Sequence, residues 1–364
     1  MGLGTARNMW YTAMGTAGRQ SMASMQNNTL RKREAADDCS VAGHRSSGQT
    51  FGTASRKSFY TVFCNVIRIR TSDWRISEYG DDGSMKDIKT AKTFHLSRLS
   101  WYLLLIAALS AFCYVTLNVW LQPYSIAYRE TGKMTGGYFL YAATGLLFST
   151  PTPFIAVLII SLFIDKIGLR RMFRDIFRTD NVPKTILITG GFCLFALLYA
   201  ILCGTPNGAP WYMLPLGFLI MIPFVGIAEE TGWRGLLQPE LDKRMPYPYS
   251  VLVTAAIWFV WHFPVFIDPT SNHYGDSVIG FGITIFIWAF ALAAIYKATG
   301  SVMACALYHA FIDAIGAVYD WNALFDGFPG SLSTNVYRVL WLVSAVVLWV
   351  IADRQEKMTT RGMP

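Results

Sequence analysis

From Ser100 onward the chain alternates long apolar stretches with short polar connections, over roughly 100–121, 137–164, 185–203, 211–237, 250–267, 278–297, 300–319 and 337–352. Hydrocarbon offers no partner to backbone N–H and C=O groups, so such segments must close their hydrogen bonds internally, as helices. About 17–25 residues cross a bilayer; most of these stretches reach that length, the last falling slightly short. The pattern predicts an all-α, polytopic membrane protein with about eight transmembrane helices. Pro151 and Pro153 interrupt the second stretch and are expected to kink or break it.

Composition agrees and separates the chain into two parts. Its 53% apolar and 15% charged residues compare with about 45–50% and 25% in soluble domains. Residues 1–97 carry fourteen Lys/Arg and eight Asp/Glu, so +6 of the overall +8 charge belongs there and describes the tail, not the membrane body. No nucleic-acid partner is expected. Through Ser84 the chain lacks sustained periodicity, and residues 1–97 read as a polar, disordered tail. Met85 begins a short basic head feeding the first span and reads as a natural start. No apolar stretch near the N-terminus has the form of a secretory signal. The six cysteines show no CxxC and no regular spacing, which argues against a disulfide framework or a structural zinc site. Residues 98–352 form the expected membrane domain, and 353–364 a cytoplasmic tail.

Lys and Arg set the orientation. Lys86, Lys89, Lys92 and Arg98 precede the first span; Lys166, Arg170, Arg171, Arg174, Arg178 and Lys184 fill the second connection; Lys243, Arg244, Lys297, Arg354 and Lys357 follow alternate later spans. Connections 204–210 and 268–277 contain neither residue, and 122–136 has only Arg129 and Lys133. Both termini are therefore expected in the cytoplasm, in a cell membrane. Leu169, Met172, Phe173, Ile176 and Phe177 make one apolar helical stripe opposite a basic face, expected along the inner interface.

Ionisable side chains within such spans are costly and need compensation. Three groups of them recur: Glu229-Glu230-Thr-Gly-Trp-Arg234, Trp258-Phe-Val-Trp-His262, and His309-Ala-Phe-Ile-Asp313. The i, i+4 spacing puts Glu230 with Arg234, and His309 with Asp313, on one helical face. Glu229 is rotated about 100° from Glu230 and is free to face something else. At 1.5 Å per residue the glutamates lie about 11–18 Å from the inner end of their span, His262 about 18 Å, and His309 and Asp313 about 13–20 Å. All are measured from one side, so the groups can meet in an intramembrane polar cavity, expected to open to the cytoplasm.

Taken singly, each has a plainer reading. A lone intramembrane histidine such as His309 is often an interhelical hydrogen bonder, and a glutamate pair near a helix end can snorkel. Trp101, Trp120 and Tyr138 read as interface anchors, and His273 as exposed in an outer connection; His44 and His95 receive no role. The coincidence of depth on three spans resists the plainer reading.

These residues resemble the CPBP family of intramembrane proteases, which includes the type II CAAX prenyl endopeptidases and bacteriocin-related abortive-infection proteins. Glu229-Glu230 to Arg234 is similar to EExxxR, Trp258 to His262 to FxxxH with Trp for Phe, and His309 to Asp313 to the third motif, with Asp where the prenyl endopeptidases have Asn. The resemblance spans about 190–320. It implies an intramembrane endopeptidase acting on a membrane-associated peptide or protein in the lipid bilayer, with no cofactor. Glu229 would act as general base on a water that His262 helps hold, with His309 and Asp313 on the oxyanion side. Asp313 would donate a hydrogen bond there if protonated, or orient His309. Trp258 is expected to serve as an aromatic wall.

The sequence has no HExxH, no GxGD and no nucleophile-elbow serine. Three alternatives stand beside the glutamate mechanism: a zinc metalloprotease using two His and a carboxylate, a non-catalytic immunity or scaffolding membrane protein, and a transporter.

Overall fold

The computed structural model describes residues 70–79, 85–268, 271, 273–320 and 331–360. Cys39, His44, Cys64 and the disorder expected of residues 1–69 lie outside the described residues. Within the expected tail, β1 (Arg70–Tyr79) and β2 (Met85–His95) pair antiparallel from Arg70↔His95 to Tyr79↔Met85, with an irregularity between Trp74 and Ile76. This differs from an unstructured tail through residue 97. The reason lies in composition: Trp, Ile, Thr, Tyr and Phe recur here around Gly80-Asp-Asp-Gly-Ser84, strand formers flanking turn formers.

Ten helices follow among the described residues: α1 (Arg98–Thr131), α2 (Gly136–Ser149), α3 (Thr152–Ile164), α4 (Leu169–Phe177), α5 (Val182–Cys203), α6 (Met213–Asp242), α7 (Tyr247–Ile267), α8 (Val278–Thr299), α9 (Val302–Ile315) and α10 (Leu332–Thr360). Six of them (α1, α5, α6, α7, α8 and α10) are long and apolar enough to cross a bilayer singly. The pair α2 and α3 makes a seventh, bent by 51° where Pro151 and Pro153 fall. The stretch expected to be a span at 300–319 yields only α9, 14 residues long, about 21 Å at 1.5 Å per residue. That is short of an independent crossing; it packs within the bundle instead. The last helix is longer than its apolar stretch and absorbs most of the expected 353–364 tail. The chain is a multi-pass membrane protein.

Proline shapes the spans. Wide, π-type turns at Thr116–Leu121, Gly145–Ser149 and Trp233–Leu237 immediately precede the Pro-containing segments at Pro123, Pro151 and Pro239. A proline removes a donor and crowds the carbonyl four residues earlier, so the preceding turn opens. Of two further wide turns among the described residues, Ile222–Ile227 contains Pro223 and Ile160–Ile164 closes α3 with no proline beside it. Ala228–Gly232 thus sits as one α-helical turn between two wide turns of α6.

α8 is the central helix, with 67% of its apolar window buried against 11–33% for the other single spans. Its Ala289, Ala291, Ala293 and Ala294 and the Ala304, Ala306, Ala310 and Ala314 of α9 are buried. Small side chains let helices approach closely where packing, not hydrophobic expulsion, drives association. A two-residue link, Gly300-Ser301, reverses the chain between α8 and α9; Gly300 takes φ +64°, and the Ser301 side chain caps α9 through Ala304 N–H. Gly226 of α6 lies so close to α9 that a Cβ there would overlap the Ala306 carbonyl oxygen. These contacts press the turn carrying the glutamates against the helix carrying His309.

Met172 and Ile176 of α4 are buried against Val302, while Leu169, Phe173 and Phe177 remain exposed beside the basic face. The amphipathic stripe is therefore divided between core and surroundings. Cys113, Cys193, Cys203 and Cys305 are free thiols. At the other end of the bundle, β3 (Thr205–Pro206) pairs with β4 (Tyr319–Asp320) and ties the end of α5 to the end of α9.

Candidate active site

The three sequence groups converge on one buried cluster built by α6, α7 and α9. Glu230 and Arg234 are both fully buried; Arg234 Nη1 donates to Glu230 Oε1 at 3.1 Å and Oε2 at 3.0 Å. The other terminal nitrogen of Arg234 donates to the Ala289 carbonyl of α8 at 3.3 Å, and the guanidinium lies 5.3 Å from the Trp258 ring. A buried charge needs pairing and hydrogen bonds together, and this one has both. His309 Nδ1 lies 2.8 Å from Glu230 Oε1. A carboxylate only accepts, so Nδ1 carries the hydrogen of that bond. Glu230 thus links α6 to α9 as well as holding the arginine.

Glu229 has different partners. Its Oε2 accepts from Trp258 Nε1 at 2.9 Å and from Trp233 Nε1 at 3.3 Å. Among the described residues Oε1 accepts no hydrogen bond. His262 Nδ1 lies 2.9 Å from the Trp258 carbonyl oxygen. That oxygen can only accept, which assigns the hydrogen to Nδ1 and leaves Nε2 of the neutral ring as an acceptor. Trp258 stands between the two histidines, its ring 5.6 Å from that of His262 and 5.2 Å from that of His309.

Asp313 is more loosely held. Its Oδ2 is 3.9 Å from His309 Nε2, beyond hydrogen-bond reach. Its side chain is 31% exposed, against 4% for His309 and none for Glu230. Orientation of His309 falls to Glu230, at the opposite ring nitrogen. His262 ends the regular part of α7, and Asp313 stands near the end of α9. The partly exposed members therefore lie toward the 268–277 end, opposite the basic connections from which the cavity was expected to open.

Two residues escaped the sequence reading. Trp233 lies inside the first motif four residues after Glu229, and that i, i+4 spacing was the available signal for its indole as a partner of Glu229. His273 is half-buried, not simply exposed: Nδ1 lies 2.9 Å from Asp276 Oδ2, and its ring is 5.0 Å from Phe281, which in turn lies 5.3 Å from His262. The histidine–acid spacing in His273-Tyr-Gly-Asp276 was the available signal. Trp101 and Tyr138, read as anchors, sit on the outer faces or ends of their helices, away from the cluster. Among the described residues no three His, Cys, Asp or Glu converge as a metal-binding group. Within the cluster His309 Nδ1 and both Glu230 oxygens are engaged with one another and with Arg234, whereas Glu229 Oε1, His262 Nε2 and the Asp313 carboxylate are not.

An independent comparison bears on this cluster. Residues 210–315 match the family described as type II CAAX prenyl endopeptidase Rce1-like. The Rce1-like region runs from just before α6 to the end of α9, and every residue of the cluster falls within it. A search of curated proteins found no match. The match supports a CAAX-protease-like enzyme in a membrane and leaves its substrate open.

Proposed function

We propose that the chain is an intramembrane endopeptidase in which Glu229 activates a water for attack on a peptide carbonyl. The observation that carries this reading is the division of labour between adjacent carboxylates. Glu230 is saturated by Arg234 and His309, while Glu229 keeps one oxygen without a hydrogen bond among the described residues. A water held by that oxygen and by His262 Nε2 would give a proton to Glu229 as it attacks. The new O–C bond opens the carbonyl to an oxyanion on the side of His309 and Asp313. Collapse breaks the C–N bond, and Glu229 returns the proton to the leaving amine. Removing a general base costs about 10²–10⁴-fold in rate.

The prenyl-endopeptidase description of the matching family makes a peptide with an S-prenylated cysteine near its C-terminus the first substrate class to test. Purified chain in lipid nanodiscs is offered an S-farnesyl-cysteine peptide with three following residues. Cleavage that persists with chelator present and is lost in Glu229→Gln is the expected result. Cleavage unaffected by Glu229→Gln overturns the mechanism. No cleavage of any membrane peptide by the parent returns the chain to the non-catalytic reading.

A further inference from the structure

We infer that Trp233 and Trp258 are positioning residues that clamp Glu229 by one oxygen and present the other to the attacking water. The inference rests on the reading of Glu229 as general base and adds to it the groups that aim the base.

An indole N–H is a donor with no acceptor function, so it can hold a carboxylate in one sense only. Both indoles address the same atom, Oε2, at 2.9 and 3.3 Å. They reach it from different elements, Trp233 from α6 itself and Trp258 from α7. Two donors on one oxygen occupy its lone pairs and fix the plane of the carboxylate. The direction of Oε1 is then set, and the oxygen left over is the one a water can use. One donor alone would fix a distance but leave the carboxylate free to turn about that bond.

The clamp is itself immobilised. Both indoles are buried, at 0% and 1% exposure. Trp233 meets Tyr102 edge-on at 6.3 Å and Trp261 at 5.8 Å. Trp258 is packed between the two histidine rings and under the Arg234 guanidinium. Trp258 does a second thing through its backbone, since its carbonyl takes His262 Nδ1. One residue thus aims the base through its side chain and fixes the tautomer of the second water ligand through its main chain. Preorganised first-contact groups of this kind are what keep a reacting atom within a fraction of an ångström of its productive place.

A purely structural account also exists: two buried indoles need an acceptor, and Glu229 happens to supply it. The two accounts separate in kinetics. Trp258→Phe removes the N–H and keeps the aromatic wall and the backbone carbonyl. Under the inference, kcat falls about tenfold or more, the loss expected for one hydrogen bond to a charged group, with KM unchanged. Trp233→Phe falls less, in keeping with its longer bond. In the Glu229→Gln background Trp258→Phe lowers the residual rate no further. The probe is the S-farnesyl-cysteine peptide above, with full chain in nanodiscs. If the parent cleaves it and Trp258→Phe keeps the parent's kcat, the inference is wrong. Should Trp258→Phe unfold, benzothienylalanine at 258, which replaces N–H by sulfur within the same ring outline, decides: parent kcat overturns the clamp, a reduced kcat with unchanged KM supports it. If the parent does not cleave the peptide, the substrate reading fails separately. The clamp is then judged by the nitrogen-15 indole resonance of Trp258, assigned by its loss in Trp258→Phe. Its displacement in Glu229→Leu shows the hydrogen bond the clamp requires, and an unmoved resonance overturns the clamp.

Discussion

His309 of α9 and Glu230 of α6 meet at 2.8 Å, on a carboxylate that Arg234 already grips through both oxygens. Glu230 is therefore a junction between two helices, and its loss has two consequences. Glu230→Gln leaves the fully buried Arg234 without a counter-charge, and breaking a buried pair costs about 3–5 kcal/mol. It also weakens the tie to His309. Glu229→Gln breaks no ion pair and keeps an acceptor for the two indoles. Thermal unfolding in detergent is expected to fall by several degrees for Glu230→Gln and to stay near the parent for Glu229→Gln, with peptide cleavage lost in both. Parent-like stability of Glu230→Gln would show that the junction is not structural.

The approach of α6 to α9 makes a second, independent prediction. At Gly226 a Cβ would overlap the Ala306 carbonyl oxygen, whereas at Gly235 it would rest 3.7 Å from Val302 Cγ2, an ordinary contact. Overpacking against backbone costs about 1–3 kcal/mol. Gly226→Ala is expected to lower the unfolding temperature and reduce cleavage by shifting Glu230 from His309, while Gly235→Ala leaves both near the parent. Equal unfolding temperatures for the two variants would contradict the close packing.

Much of this site was legible in the sequence because helical spacing is a local property. The i, i+4 pairing of Glu230 with Arg234 follows from geometry within one helix, and shared depth anticipates that α6, α7 and α9 meet. What spacing cannot carry is the rotation of one helix against another. That is why helical spacing offers Asp313, its neighbour on α9, as one group able to orient His309, when the hydrogen bond of His309 goes to Glu230 on α6. The same limit reduced Trp258 to a wall when its N–H is the shorter contact to Glu229, whereas the i, i+4 contact of Trp233 with Glu229 lies within α6 and was open to the spacing argument. Apolar length also overstates spans: the 300–319 stretch contains only the 14-residue α9, because Gly316 and the residues after it leave the helix to form β4.

Orientation gives a third prediction. Lys and Arg gather in the connection containing Arg178 and are absent from 268–277, which by the positive-inside tendency puts the first in the cytoplasm. A reporter fused after residue 180 is expected to read cytoplasm, and one fused after residue 273 to read outside. The partly exposed Asp313 and His262 lie toward the latter end, so the second fusion also reports from which side the cluster is approached. A cytoplasmic signal from both fusions would overturn the alternating arrangement of α5 to α7.

Asp313 gives the last prediction, because its geometry argues against one of its two expected roles. At 3.9 Å from His309 Nε2 it does not hold the imidazole, and Glu230 does so from the other side of the ring at 2.8 Å. Replacing Asp313 by Asn keeps shape and a polar terminus, adds N–H donors facing the oxyanion side, and removes no hydrogen bond to His309. Asp313→Asn is therefore expected to fold as the parent does and to retain cleavage within about tenfold, with any change in kcat and not in KM. Asp313→Leu keeps similar volume but offers the oxyanion nothing, and removing one such donor costs about 10²–10³ in kcat. Single-turnover cleavage of the S-farnesyl-cysteine peptide by both variants, beside their unfolding temperatures, measures the difference. If Asp313→Asn loses as much activity as Asp313→Leu while both remain folded, the carboxylate itself is required, and Asp313 acts on His309 across that 3.9 Å gap.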